Sequence, residues 1–233
     1  EHHAILHTCE WLEKQGAKIT YLDVDENGVV DLDQLQKAIT PETILISVMA
    51  ANNEIGTLQP IKEIGAIAKE HGILFHTDAV QAYGQLLIDV KKENIDLLSA
   101  SAHKFNGPKG VGFLYIRKKI LLPEYIHGGK QERDHRAGTE NVPGIAGMGK
   151  AAEIAFTTRE YREKEIQQLR DYLNIKDVVK NILLIANQTL YSNQIINCCS
   201  GKPISIRQIV ENHLDKKNYS MKLNLGYYPY PTY

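Results

Sequence analysis

The stretch from Ile44 to Thr77 constrains the fold more than any other part of this chain. An apolar run, Ile44 to Met49, is followed by Pro60 and then by Ile61, Ile64, Ile67 and Ala68 at helical spacing. His71-Gly72 closes that helix, and a second apolar run, Ile73 to Thr77, begins at once. Strands that are apolar along their length need cover on both faces, and a helix between two of them is the crossover a parallel pair requires. The alternation continues through Ala79–Gly84, Asp96–Ser101 and Val111–Ile116, with Asn106-Gly107-Pro108-Lys109-Gly110 as a turn between the last two. The pattern predicts an α/β chain whose mainly parallel sheet is sandwiched by helices.

The flanks are consistent with this. Ile5, Leu6, Cys9 and Leu12 share one helical face that Gly16 terminates, with Cys9 expected to pack in the core. A short strand, Lys18 to Leu22, is expected to lead to the turn Asp25-Glu26-Asn27-Gly28, and Leu32, Leu35 and Ile39 mark another short helix. From Asn141 to about Tyr172 the pattern is helical and highly charged. The chain opens with a helix already under way, so a further upstream segment is expected.

Its 233 residues fit one ordinary domain or one and a half. A formal net charge of −1 provides no basic field, so no nucleic-acid partner is expected. No apolar run approaches membrane-span length and no signal peptide opens the chain, so no membrane role is expected. The three cysteines, Cys9, Cys198 and Cys199, form neither a CxxC nor spaced pairs. That argues against a disulfide framework or a bound metal and suits a reducing, cytoplasmic setting.

In open α/β sheets ligands gather at the carboxyl ends of strands. Asn52-Asn53-Glu54, Asp78, Gln81 (one helical turn on) and Ser101-Ala102-His103-Lys104 are expected there. Each has a plain reading: Asp78 as a helix cap, Asn53 as a turn residue, His103 as a satisfied histidine, Lys104 as a solvated charge. Together they also match the needs of one ligand, pyridoxal phosphate (PLP). Its aldehyde needs a lysine amine for a Schiff base, and its ring nitrogen needs a carboxylate to stay protonated. Its 3′-oxygen needs donors such as an amide, and its phosphate needs hydroxyl, imidazole and backbone N–H groups. Lys104, Asp78, Gln81 and the Ser101/His103 pair are groups of those kinds.

Five stretches occur in order: "EHHAIL", "NNEIGTLQPI", "FHTDAVQAYG", "SASAHKFNGPKGVGFLYI" and "HGGKQERDHRAGTENVPGIAGMGKA". With them, residues 1 to about 172 resemble the cysteine desulfurases, PLP enzymes of the class V aminotransferase family. The resemblance implies that Lys104 bonds the cofactor, Asp78 meets the ring nitrogen, His2 stacks on the ring and Gln81 approaches the 3′-oxygen. It further implies that Ser101 and His103 hold the phosphate, that Asn53 helps seat the substrate carboxylate, and that Thr139 reaches a phosphate in the neighbouring subunit of a homodimer. The implied reaction converts L-cysteine to L-alanine and leaves the sulfur as an enzyme persulfide. A sulfur-acceptor or scaffold protein in iron–sulfur cluster assembly is the implied partner.

By the same resemblance, residues 1–140 are part of the large, cofactor-binding domain of an aminotransferase-like fold, truncated at its N-terminus. Residues 141–172 are a helical connection towards the small domain. That family's nucleophilic cysteine loop and its carboxylate-gripping arginine lie downstream of "AGTEN", and no counterpart of either is found in this sequence. The chain is therefore expected to release no sulfide above the rate of free PLP. From 173 to 233, "NIKDVVKNILLIANQ" and "NCCSGKPISIRQIVE" resemble the C-terminal part of nucleotide-sugar epimerases, implying an unrelated small α/β tail. Tyr172 and Lys176 have that family's Tyr-x-x-x-Lys spacing but follow no glycine-rich dinucleotide loop, and are read as a coincidence. Rival readings are a selenocysteine lyase or aminotransferase, a non-catalytic fusion remnant, and a nucleotide-sugar enzyme.

Overall fold

In this computed structural model, residues 1–172 are described, with side chains to Ile166. The expected tail, 173–233, and Tyr172-x-x-x-Lys176 as a pair therefore lie outside the described residues. The chain divides into two units, Glu1–Arg159 and Glu160–Tyr233.

The first unit is built on a four-stranded sheet in the order β1 (Leu45–Ser47), β2 (Leu74–Asp78), β3 (Leu97–Ser101), β4 (Gly112–Ile116). β1, β2 and β3 are mutually parallel, and β4 returns antiparallel to β3. The sheet is thus mainly parallel, as the alternation predicts. Register pairs Ser47 with His76, Asp78 with Ser99, and Ser101 with Gly112. The carboxyl ends of the three parallel strands and the turn that opens β4 consequently share one edge.

The crossover between β1 and β2 is α3 (Ile61–His71), which follows Pro60 and buries Ile64, Gly65, Ile67 and Ala68. It ends at Gly72, where φ of 67° meets the left-handed requirement that a glycine satisfies without a Cβ penalty. A short α2 (Leu32–Ala38) is started by Asp31, whose side chain accepts the N–H groups of Asp33 and Gln34, and buries Leu35. The core joins these helices to the sheet through Ile46, Val48, Ile64, Phe75, Ile95 and Leu98.

Gly65 sets how closely α3 approaches the chain beyond Asp89, because a Cβ there would overlap the Glu93 carbonyl oxygen. Alanine at 65 gains roughly 1 kcal/mol of helix propensity. It also forces a backbone shift of a kind that costs about 1–3 kcal/mol. Gly65→Ala is therefore expected to lower the urea midpoint, and an unchanged or raised midpoint would contradict this packing.

Three expectations need correction. Lys18–Leu22 forms no strand. Only Ile19 and Leu22 are partly buried there, and the Asp23 N–H goes to the Gln34 side chain instead of a neighbouring strand. Residues 79–86 make successive turns, with the Ala79 carbonyl accepting both Ala82 and Tyr83 N–H groups, so Gln81 sits in a turn and not on a helix. Cys9 is only half-buried, because α1 (His3–Lys14) contains no buried residue. Trp11 is well exposed on the same helix.

The remaining elements are the kinked turn α4 (Gln131–Asp134), α5 (Val142–Thr157) and, largely in the second unit, α6 (Arg159–Tyr172). α5 opens with Asn141, whose side chain accepts the Gly144 N–H, and Pro143 occupies its first turn. The run from Asn141 to Tyr172 is thus helical, as its pattern predicts.

Candidate active site

Lys104 owes its position to a short 3-10 turn (Ala102–Phe105) immediately after β3. Residues three apart eclipse in such a turn. Ala102 and Phe105 are both essentially inaccessible, so this pair forms the inner side and His103 and Lys104 are turned outward. Phe105 is gripped by Tyr83, with ring centroids 5.0 Å apart, and the pair packs with Ala151 and Ala155 of α5. Asn106 then adopts a left-handed conformation, φ 65°, and the Gly107 N–H closes the turn on the Ala102 carbonyl. Lys104 itself is exposed and makes no hydrogen bond or ion pair among the described residues.

Asp78, the last residue of β2, is 8% exposed. Its Oδ1 accepts the Val80 N–H at 2.8 Å, and no ion pair reaches it among the described residues. The plain reading of Asp78 as the cap of a following helix fails, since only turns follow. A buried carboxylate without a cation is costly, by several kcal/mol as a rough scale. A cationic group brought by a ligand would relieve that cost, and a pyridinium nitrogen is such a group.

The other predicted residues fall as follows. Ser101 Oγ lies 2.8 Å from His103 Nδ1, a hydroxyl–imidazole pair at the end of β3. Gln81 is half-buried in the turn after β2. His2 caps α1, its Nδ1 accepting the Ala4 N–H, and the neighbouring Glu1 carboxylate accepts the Met49 N–H at 2.6 Å. That bond brings the start of α1 to the end of β1. Asn53 is exposed in the turn that follows Ala51, where Asn52 Oδ1 accepts the N–H groups of Glu54 and Ile55. This turn rests on residues 25–30, since Thr57 donates to the Asn27 carbonyl and Gln59 to that of Gly28.

His2, Asn53, Asp78, Gln81, Ser101, His103 and Lys104 are therefore all attached to one edge of the sheet. Thr139 is exposed in the loop before α5, and no hydrogen bond ties it to that group among the described residues.

Sequence reasoning missed His76, which lies buried on β2 two residues before Asp78. Its Nδ1 is 2.8 Å from Ser47 Oγ and its Nε2 is 2.8 Å from Ser99 Oγ. Burial pushes its imidazole below the usual histidine range, against an opposite pull from Asp78. The signal available was a histidine in the middle of a strand, between Phe75 and Thr77.

The donor set fits PLP: an amine and a buried carboxylate each without an ion-pair partner among the described residues, and a hydroxyl–imidazole pair on the neighbouring strand end. Comparison with known proteins agrees. The chain is 63% identical over 173 residues to the cysteine desulfurase IscS of Methanosarcina thermophila, covering 74% of this chain and 43% of that protein. It thus spans under half the length of that relative. A solved NifS-like protein superposes with a TM-score of 0.73 at 44% identity, covering 79% of this chain and 50% of the other. A second solved structure, SspA in complex with cysteine, gives 0.65 at 48% identity, covering 66% and 45%. The family model for class V aminotransferases matches residues 1–218, reaching well into the segment read above as epimerase-like. With that match spanning most of its length, the chain belongs to the class V aminotransferases.

Proposed function

We propose that this chain carries the cofactor-binding half of a PLP-dependent cysteine desulfurase: it binds PLP and L-cysteine, while the full conversion to L-alanine needs the nucleophilic cysteine for which this sequence has no counterpart. The observation that carries the reading is a buried Asp78, without a cationic partner among the described residues, at the end of the strand that pairs with the one leading to the outward-facing Lys104. The similarity to desulfurases, and to a structure solved with cysteine, supports the substrate.

Bound PLP supplies the electron sink for bonds broken around the amino acid's α-carbon. Lys104 Nζ would hold the cofactor covalently, and the same amine, when free, would serve as the base for the α-proton. Asp78 would hold the proton on the ring nitrogen. Ser101 and His103 would bind the phosphate, Gln81 would donate to the 3′-oxygen, His2 would pack against the ring, and Asn53 would orient the substrate carboxylate.

Thr139, exposed and not hydrogen-bonded to this group among the described residues, suits a phosphate contact across a homodimer. In the whole enzyme the sulfur would pass to an acceptor or scaffold protein for iron–sulfur cluster assembly, in the cytoplasm. Scattered cysteines without a disulfide pattern support that compartment.

Cys9 is disfavoured as the sulfur-accepting thiol. Partial burial and the charges of Glu1 and Glu13 push its pKa up, away from the thiolate that attacks sulfur.

The test is stereochemical. In the PLP-loaded chain, L-cysteine and L-alanine are expected to perturb the bound-cofactor absorption and exchange their α-proton with solvent, while the D-enantiomers do neither. Equal response to both enantiomers would reduce the site to a non-specific amine–aldehyde reaction. Sustained pyruvate formation from L-alanine, with a 2-oxo acid supplied to take the amino group, would reassign the chain to an aminotransferase. Cys9→Ser is expected to leave all these readouts unchanged.

A further inference from the structure

A row of polar side chains crosses the sheet under the proposed site. Ser47 on β1, His76 on β2 and Ser99 on β3 are joined through the two imidazole nitrogens, each 2.8 Å from a hydroxyl. Alternation along a strand puts His76 and Asp78 on the same face of β2. Register makes Ser47 the cross-strand neighbour of His76 and Ser99 that of Asp78. The row therefore lies directly beside the Asp78 carboxylate.

We propose that the Ser47–His76–Ser99 bridge is a positioning device for Asp78, fixing the spacing of the three parallel strands where that carboxylate meets the cofactor's ring nitrogen. This rests on the PLP reading of the site.

The fold alone does not require the bridge. The strand neighbours Phe75 and Thr77 are fully buried on the opposite face, and an apolar residue at 76 would fill its position without needing partners. A buried imidazole is tolerated only when both nitrogens are satisfied, since each unpaired polar group costs about 1–3 kcal/mol. Two serine hydroxyls, each able to donate or accept, satisfy a neutral imidazole in either tautomer. Neutrality matters for the neighbour. An imidazolium at 76 would compete with the ring nitrogen for Asp78, whereas a neutral ring leaves the full carboxylate charge for the ligand. His76 touches no cofactor and acts only through Asp78 and the strand spacing.

The experiment compares wild type, Ser99→Ala, His76→Gln and His76→Leu. Side-chain 15N shifts of His76 are measured in the PLP-free chain, and PLP affinity and visible absorption in the loaded chain. The expected result is neutral-imidazole shifts at neutral pH, with PLP binding weakened about tenfold in Ser99→Ala and His76→Leu, as for outer-shell partners elsewhere. A displaced absorption band should accompany the loss, and His76→Gln, still neutral and hydrogen-bonding, should recover part of it. Should His76→Leu fail to fold, Ser99→Ala, which removes one hydroxyl, decides the question. Wild-type affinity and absorption in Ser99→Ala, or imidazolium shifts for His76, would overturn the proposal. If wild type itself takes up no PLP, the cofactor reading falls, and this inference with it. PLP uptake indifferent to the bridge removes the inference alone.

Discussion

Lys104→Ala abolishes covalent attachment of PLP to the chain. Borohydride reduction of the loaded wild type, followed by digestion and mass analysis, is expected to place the pyridoxyl group on the peptide containing Lys104 and on no other at comparable yield. The reason lies in the local fold. The 3-10 turn after β3 has Ala102 and Phe105 facing inward, so Lys104 is presented just past the end of β3, the strand that pairs with the one ending in Asp78. Lys109 is also exposed and only five residues away, but it lies beyond the left-handed Asn106, in the turn that opens β4. Lys109→Ala should leave attachment intact. A labelled Lys109 peptide in Lys104→Ala, at wild-type yield, would show that the chain offers PLP a generic surface amine.

Asp78→Asn separates charge from shape. The amide keeps a carbonyl oxygen for the Val80 N–H, so the turn after β2 is retained. What disappears is the negative charge that balances a protonated ring nitrogen. PLP is expected to remain attached to Lys104, while solvent exchange of the α-proton of L-alanine falls by about 10²-fold or more, the scale on which single preorganised charges act. Exchange at the wild-type rate would leave Asp78 as a turn residue only. Loss of PLP attachment as well would mean that the carboxylate is needed to seat the cofactor and not just to activate it.

Elements with local causes were legible in the sequence, and those with distant causes were not. α3 was legible end to end because proline, apolar spacing and the glycine stop all act within the helix itself. The parallel pairing followed from that crossover, and the cluster Asp78, Ser101, His103 and Lys104 followed from the rule that sites sit at strand ends. Residues 18–22 misled because a strand needs a partner, and whether one lies alongside is not a property of the segment. Residues 79–86 misled because their apolar content serves packing of turns, with Ala79 and Ala82 fully buried without forming a helix. His76 went unnoticed for a related reason. Its partners, Ser47 and Ser99, are distant in sequence and become neighbours only through the register of three strands. The resemblance to desulfurases supplied roles that neither periodicity nor spacing contains, notably those of His2, Gln81 and Thr139.

The aromatic grip on Phe105 has an energetic consequence. Tyr83 packs against Phe105, Phe113 and Phe156 with centroids 5.0 to 5.2 Å apart, linking the lysine turn to β4 and to the far end of α5. Breaking any one of these contacts exposes surface that the others share. The lysine turn, the start of β4 and the end of α5 are thereby expected to open together and not as separate surface loops. In the proposed site, an amine that would be repeatedly bonded and released is thus carried next to the fully buried Phe105: the lability would reside in the side chain and not in the backbone beneath it.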